Sequence, residues 1–236
     1  MQHHSKSWFG VKEVTFLGLH LKNHLVFLSN NRIQEVQKLI MPINQKQMQS
    51  FMGFVNFFRP FIGGDDIIFS DLTDPLTSMT HKEFNWTPST WTQNYAAIFE
   101  NVKKAMLYTM SLYPPNYDLE WRLQPDASTV AVGAGLYQIK VKEDFSEDRQ
   151  LIGLYSKKLS PVAQRWDIIK QEDFAIASSV KFFADLLGGR PFIIECDHNN
   201  LCLEKLALCL TPIVVLWTTS KVYHSSSSTS QANRII

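Results

Sequence analysis

The order of apolar patterns between residues 116 and 197 constrains this chain more than any other feature. "YDLEWRLQPDAS", "VAVGAGLYQIKV" and "QLIGLYSKKLS" each read as a strand, joined by short turns. In the first, Leu119, Trp121 and Leu123 alternate with Glu120, Arg122 and Gln124, the period of a half-buried strand. A helical pattern then runs from about Val162 to Leu187, closed by Gly188 and Gly189. The strand "PFIIECD" and a short helix, "NLCLEKLAL", come next, and a further strand is expected from Ile213 to Trp217. Three strands joined by turns, followed by a helical crossover to another strand, leave few topologies. The expectation is an α/β domain with a mixed sheet that starts antiparallel and carries the 163–187 helix packed on one face.

The first half reads differently. "VTFLGLHLKNHLVFL" alternates around Gly18 and "KNH" and predicts two short strands joined by a turn. Ile33, Val36, Leu39 and Ile40 have helical spacing, with Asn30 or Asn31 as cap and Pro42 as stop. A second helix carries the stripe Met48, Phe51, Met52, Val55 and Phe58, ended or kinked by Pro60. Residues 63–92 are loop-rich, with "SDLTDPL" as a short helix or turn. "WTQNYAAIFENVKKAML" predicts a helix with Tyr95, Ile98, Phe99, Val102 and Met106 on one face. This half is therefore expected to be mainly helical and separately packed. The serine run of "SSSSTS" predicts a disordered tail over 225–236.

Three acids stand where strand and helix patterns could bring chemistry together. Asp126 ends the first strand of the second half, Glu172 lies within the long helix, and Asp197 ends the strand "FIIECD". The carboxyl ends of neighbouring strands are the usual site edge of such a sheet. Ile169, Glu172, Ile176 and Phe183 fall near one helical stripe, and a carboxylate on an apolar stripe is costly unless something satisfies it. Hard divalent cations such as Mg²⁺ prefer carboxylate oxygens. Asp173 lies near a second apolar row with Ile169, Ala177 and Val180, so spacing alone leaves Glu172 and Asp173 both open.

Composition excludes several classes. A net charge of +1 offers no tail-type basic or acidic partner surface, while a local basic groove remains compatible with it. Cys196, Cys202 and Cys209 form no CxxC pair, which argues against a structural zinc site or a disulfide framework and fits a reducing compartment. "MQHHSKSWFG" lacks the apolar core of a signal peptide, and no stretch approaches the roughly 20 apolar residues of a membrane-spanning helix. His3 and His4 read as solvated terminal residues.

The phrases "VTFLGLHL", "MQSFMGFVNFFRPFI", "SDLTDPLTSMTHKEFNWTPS", "PDASTVAVGAGLYQ", "YSKKLSPVAQRWDIIKQEDFAIASSVKFF" and "IIECDHNNL" occur in that order. Together they resemble the downstream part of a gypsy-type LTR retrotransposon Pol polyprotein, from the end of the reverse transcriptase palm through thumb and connection into ribonuclease H. The resemblance implies a palm-end and thumb remnant over 1–62, a connection over 63–115 and a ribonuclease H-like domain over 116–224. Phe16, Leu17 and Gly18 resemble the primer-grip turn, a nucleic-acid-binding element. Asp126, Glu172 and Asp197 resemble the family's catalytic, metal-binding carboxylates, and the resemblance selects Glu172 over Asp173. The implied cofactor is Mg²⁺, with Mn²⁺ as an alternative. The implied partners are an RNA–DNA hybrid or template-primer duplex and the palm and fingers of the same polyprotein, with no membrane. The family points to the cytoplasm or nucleus.

The departures from the family pattern bear on activity. The polymerase YxDD hairpin is expected before residue 1. Asp65 and Asp66 lie in a glycine-rich loop where the family has no catalytic acid. Pro125 precedes Asp126 and would delete a ladder hydrogen bond in a central strand. No Asp or Glu follows Glu204, so the family's fourth carboxylate has no counterpart. The expectation is Mg-dependent hydrolysis of RNA in RNA–DNA hybrids, weakened or lost, the alternative being an inactive relic that retains nucleic-acid binding.

Overall fold

A computed structural model describes residues 10–63, 68–87, 93–196 and 215–218. Three four-residue strands open it: β1 (Glu13–Phe16), β2 (Leu19–Lys22) and β3 (Leu25–Leu28). They form an antiparallel sheet in the order β1-β2-β3, one strand more than the alternation suggested. Two-residue turns cause the difference. Leu17 and Gly18 adopt φ of 51° and 82°, and Asn23 and His24 adopt 53° and 64°. Positive φ at both central residues is the twist that tight hairpins require.

Helices α1 (Asn30–Gln37) and α2 (Gln45–Asn56) follow. The first ends before Leu39 and Ile40, short of the predicted stop at Pro42. The second is capped by Asn44, whose side chain accepts from the Gln47 N–H at 2.9 Å. Its predicted stripe is buried throughout, with Met48, Val55 and Phe58 fully enclosed. A one-turn 3₁₀ helix, Arg59–Phe61, carries the chain past Pro60. Helix α3 (Phe69–Ser78) is longer than the predicted turn and holds Pro75 inside it. Thr73 donates to the Phe69 carbonyl, a local bond that bends a helix and eases an interior proline. Helix α4 (Gln93–Leu107) completes a core in which Phe99, Val102 and Met106 meet α1, α2 and α3. Asp65 and Asp66, like His3 and His4, lie outside the described residues.

The second core is a five-stranded mixed sheet in the order β6-β5-β4-β7-β8. Its strands are β4 (Glu120–Ala127), β5 (Ala131–Val141), β6 (Glu147–Lys158), β7 (Phe192–Glu195) and β8 (Val215–Thr218). The first three pair antiparallel, while β7 lies parallel to both β4 and β8. Between β6 and β7 run α5 (Ile168–Phe182) and α6 (Ala184–Leu187).

The predicted single helix from Val162 to Leu187 is therefore broken. Trp166 is extended at ψ 155°, and Asp167 starts α5 by accepting from the Lys170 N–H. A second interruption falls at Phe183, and the left-handed Gly188 closes the segment as expected. The "NLCLEKLAL" helix and the serine tail lie outside the described residues.

Alternation divides the sheet into two faces. Trp121, Leu123, Ala134, Leu136 and Ile152 meet Ile176, Val180 and Phe183 of α5 and the residue that follows it. The opposite face receives the first half of the chain. Ser156 on β6 accepts from the Ser70 N–H at 2.8 Å and bonds the Ser70 hydroxyl at 2.7 Å. Arg59 donates to the Ser156 carbonyl at 2.9 Å and lies 4.7 Å from the Phe69 ring centre. Burial lowers the Arg59 pKa, and the nearby Tyr155 works against that shift. A side chain on Gly133 would press on Ile68 at 3.1 Å, and one on Gly63 would strike Leu154 at 2.8 Å. The two halves keep distinct cores, yet they are joined by buried bonds rather than packed apart. Among the described residues no helix is long and apolar enough to cross a membrane.

Candidate functional site

Asp126 sits at the carboxyl end of β4, exposed, one residue before the strand ends. Pro125 does not break the strand. The pairs Pro125↔Ala134, Asp126↔Gly133 and Ala127↔Val132 continue the ladder with β5. On the other side the pairing with β7 comprises Arg122↔Ile193 and Leu123↔Ile194, so the proline lies beyond that ladder, where a missing N–H is tolerated. The expected disruption beside Asp126 is thus corrected.

Glu172 is buried, 3% exposed, on the α5 face that carries Ala175, Ile176 and Ser179, whereas Asp173 is half-buried. Helix α5 lies over β4 and β5. Asp126 pairs with Gly133 and shares the alternation of Gln124 along β4. Asp197 lies outside the described residues, immediately after Cys196. Among the described residues no three His, Cys, Asp or Glu side chains gather as a metal cluster. The donors present are carboxylate oxygens, one exposed and one buried, a chemistry that suits a hard divalent cation.

On the Asp126 face lies an ionic network that the sequence reading missed. Glu195 of β7 is 8% exposed and takes both its charged bonds from arginines: Arg122 to Oε1 at 3.1 Å and Arg149 to Oε2 at 2.8 Å. Arg122 also grips Glu147 through two bonds of 2.8 and 2.7 Å, and Glu120 at 2.8 Å. Burial disfavours the Arg122 charge, but the bonds and charges of Glu147 and Glu120 outweigh it and hold the pKa above its ordinary value. Arg149 crosses β5 with its guanidinium 4.6 Å from the Tyr137 ring centre and donates to Gln124 at 3.0 Å. One signal was available in the sequence: a glutamate inside the apolar run "FIIEC" requires a charged partner.

Phe16, Leu17 and Gly18 form the tip of the β1–β2 hairpin, with Phe16 64% and Leu17 71% exposed. The tip is braced from below. A Cβ at Gly18 would lie 2.6 Å from Arg32 Nε, and Arg32 packs 5.0 Å from the Phe57 ring centre while bonding Glu35 at 2.7 Å.

Comparison with known proteins agrees with this architecture. Residues 91–194 match the family described as the RNase H-like domain found in reverse transcriptase. The Transposon Tf2-3 and Tf2-4 polyproteins of Schizosaccharomyces pombe are each 32% identical over 200 residues, 84% of this chain. The chain spans 14% of the length of either polyprotein. A foamy viral protease-reverse transcriptase dRH solved with double-stranded DNA superposes on 88% of this chain and 38% of its own, with a TM-score of 0.70 at 18% identity. A foamy viral protease-reverse transcriptase solved with an RNA/DNA hybrid covers 95% of this chain and 32% of its own, with a TM-score of 0.68 at 17% identity. With a mixed sheet of ribonuclease H type behind a mainly helical segment, the comparisons support a retrotransposon Pol fragment whose residues 91–194 match the RNase H-like domain found in reverse transcriptase.

Proposed function

We propose that this chain is a ribonuclease H-type nuclease that hydrolyses the RNA strand of RNA–DNA hybrids, with weakened activity, and that Asp126, Glu172 and Asp197 hold its divalent cations. The observation that carries the reading is the buried Glu172 on the helix packed over β4, the strand that ends in exposed Asp126. Asp197 joins the set by its resemblance to the family's aspartate, directly after Cys196 in the sequence. Mg²⁺ or Mn²⁺ held by such carboxylates supplies activation of a water and stabilisation of the departing 3′-oxygen. The chain's own part is to present the ligands at a strand end and to grip the duplex. The exposed Phe16–Leu17–Gly18 tip supplies an apolar surface for a template-primer duplex, read by shape and 2′-hydroxyls rather than by sequence. The foamy viral complexes support a duplex partner, and the palm and fingers of the same polyprotein are the proposed protein partner.

The weakening is part of the proposal: residues 205–236 bring no carboxylate side chain to join these three. The test is cleavage of an end-labelled RNA–DNA hybrid by the purified chain with Mg²⁺ and Mn²⁺ in turn. The expected result is slow cleavage, faster with Mn²⁺, that disappears in Asp126→Asn. Robust multiple turnover with Mg²⁺ would overturn the weakening. Cleavage that persists in Asp126→Asn would overturn the site.

A further inference from the structure

We infer that two copies of this chain pair through the β5–β6 hairpin, the exposed Phe145 of each entering an aromatic cavity of the other. The hairpin projects from the sheet. Glu120↔Ile139 is the outermost pair of β4 with β5, and the pairs Lys140↔Asp148 and Val141↔Glu147 run on past it. At the tip Phe145 is 89% exposed and adopts φ 62°. The left-handed region is open to glycine and unfavourable for a bulky side chain. An exposed ring also gains nothing from burial. Strain without packing points to a contact outside the fold.

The tip is nonetheless firmly built. The Lys142 N–H donates to the Ser146 carbonyl at 2.9 Å, and the Phe145 N–H to the Lys142 carbonyl at 3.0 Å. Asp144 accepts from the Ser146 N–H at 3.0 Å and from its hydroxyl at 2.6 Å. Arg122 grips Glu147 at the base of the hairpin. A ring presented on such a turn loses little freedom on binding.

A receptor of matching chemistry lies at the same end of the sheet. A cavity of about 450 Å³ is lined by Tyr117 and Trp121 at the start of β4, Phe192 at the start of β7, Leu187 of α6, and Arg190. The pair Glu120↔Ile139 puts the start of β4 beside the root of the hairpin, and β7 runs parallel to β4, so Phe192 lies at that end too. The volume is within the roughly 300–1,000 Å³ of pockets that enclose small ligands, ample for one phenyl ring. Tyr117 stacks on Trp121 with ring centres 5.1 Å apart, and the Arg190 guanidinium lies 4.2 Å from the Tyr117 ring centre. Aromatic walls favour an aromatic knob. The charges match as well. Glu143 and Asp144 precede Phe145, and Arg190 lines the cavity. Among the described residues neither Glu143 nor Arg190 has an ion-pair partner. A two-fold axis brings the knob of each copy to the cavity of the other, an isologous contact. It uses none of the proposed cation ligands.

Sedimentation equilibrium of the full chain over a range of concentrations tests the pairing. The wild-type chain is expected to dimerise reversibly. Phe145→Gly should weaken the dimer roughly tenfold or more, the scale of losing a buried aromatic anchor. Its melting midpoint, measured where both chains are monomeric, should stay level or rise, because glycine relieves the left-handed backbone. A residue that supports its own fold would lower it. Arg190→Glu should also weaken the dimer, and adding Glu143→Arg should restore most of the lost affinity by reversing the charge pair. Phe145→Gly changes only an exposed side chain and decides the matter if Arg190→Glu does not fold. A wild-type chain that stays monomeric, or a Phe145→Gly dimer as tight as wild type, would overturn the pairing. So would a lowered midpoint in Phe145→Gly, which would place the ring against its own chain. Wild-type dimerisation by Arg190→Glu, or a double variant no tighter than it, would overturn the cavity as receptor.

Discussion

At the scale of single residues, the two ends of the molecule differ in what holds them. The hairpin tip depends on backbone conformation. Gly18 sits at φ 82° with Arg32 Nε 2.6 Å from where a Cβ would stand. An alanine there adopts a left-handed conformation that costs on the order of 1–2 kcal/mol and also displaces Arg32. Gly18→Ala should therefore lower stability by about that amount in denaturant titration, and it should weaken duplex binding at the exposed Phe16–Leu17 tip in a filter-binding assay. At the sheet, the telling residues are charged. Glu195 and Arg122 were readable as strand residues, but which charges meet depended on Arg149 of β6 reaching across β5. The choice between Glu172 and Asp173 shows the same limit. Both lie on apolar rows in the sequence, and Glu172 is the one buried deeply once α5 is packed on the sheet.

At the scale of elements, helix starts carry testable energetics. Asn44 caps α2 and Asp167 caps α5, each accepting a backbone N–H at 2.9 Å. Asn44→Ala should cost about 1 kcal/mol, independent of pH between 3 and 7 (approximate bounds), because the amide does not titrate there. The Asp167 case depends on pH. The Lys170 backbone N–H lowers the carboxylate pKa in the folded chain, with Lys170 charge adding to it. A lowered folded-state pKa gives stability that is present above the ordinary carboxylate pKa and lost as pH falls through the lowered one. Asp167→Ala should accordingly lower the melting midpoint at neutral pH, and the difference from wild type should shrink as the solution is acidified below that lowered value. A thermal melt series for both variants checks the contrast. The same cap explains why the helix does not begin at Val162: Trp166 is extended to bring Asp167 into capping position.

At the scale of the whole molecule, the two cores are coupled through a small polar contact. Ser156 belongs to the sheet and Ser70 opens α3, and their bonds are buried. Ser156→Ala would leave the Ser70 N–H and hydroxyl without that partner, a loss of about 1–3 kcal/mol for a buried unsatisfied group. Hydrogen exchange should then show faster opening of the first turn of α3 and of β6 around residue 156, with the helix core around Phe58 and Phe99 unchanged. Equal protection in wild type and variant would show that Arg59 and the apolar contacts suffice. The coupling holds the start of α3 against β6.

The sequence by itself determined the order of the main elements in the second half of the chain. Period-two and period-3.6 patterns, the turn glycines and the capping residues are local properties, and they set three antiparallel strands, a helix and a parallel strand in a row before any packing is known. It also marked Asp126 at a strand end and Glu172 on an apolar stripe, since a carboxylate among apolar neighbours is costly in any fold. Tertiary structure alone decided the rest. Whether Pro125 breaks a ladder depends on which neighbour lies beside it, and β7 stops pairing before reaching it. Whether the first half packs apart depends on Ser70, Arg59 and Ile68 finding Ser156 and Gly133 across the chain. The bonds of Arg149 join three strands, β6 to β4 and β7. Such contacts arise from long-range register, and no local pattern in the chain encodes them.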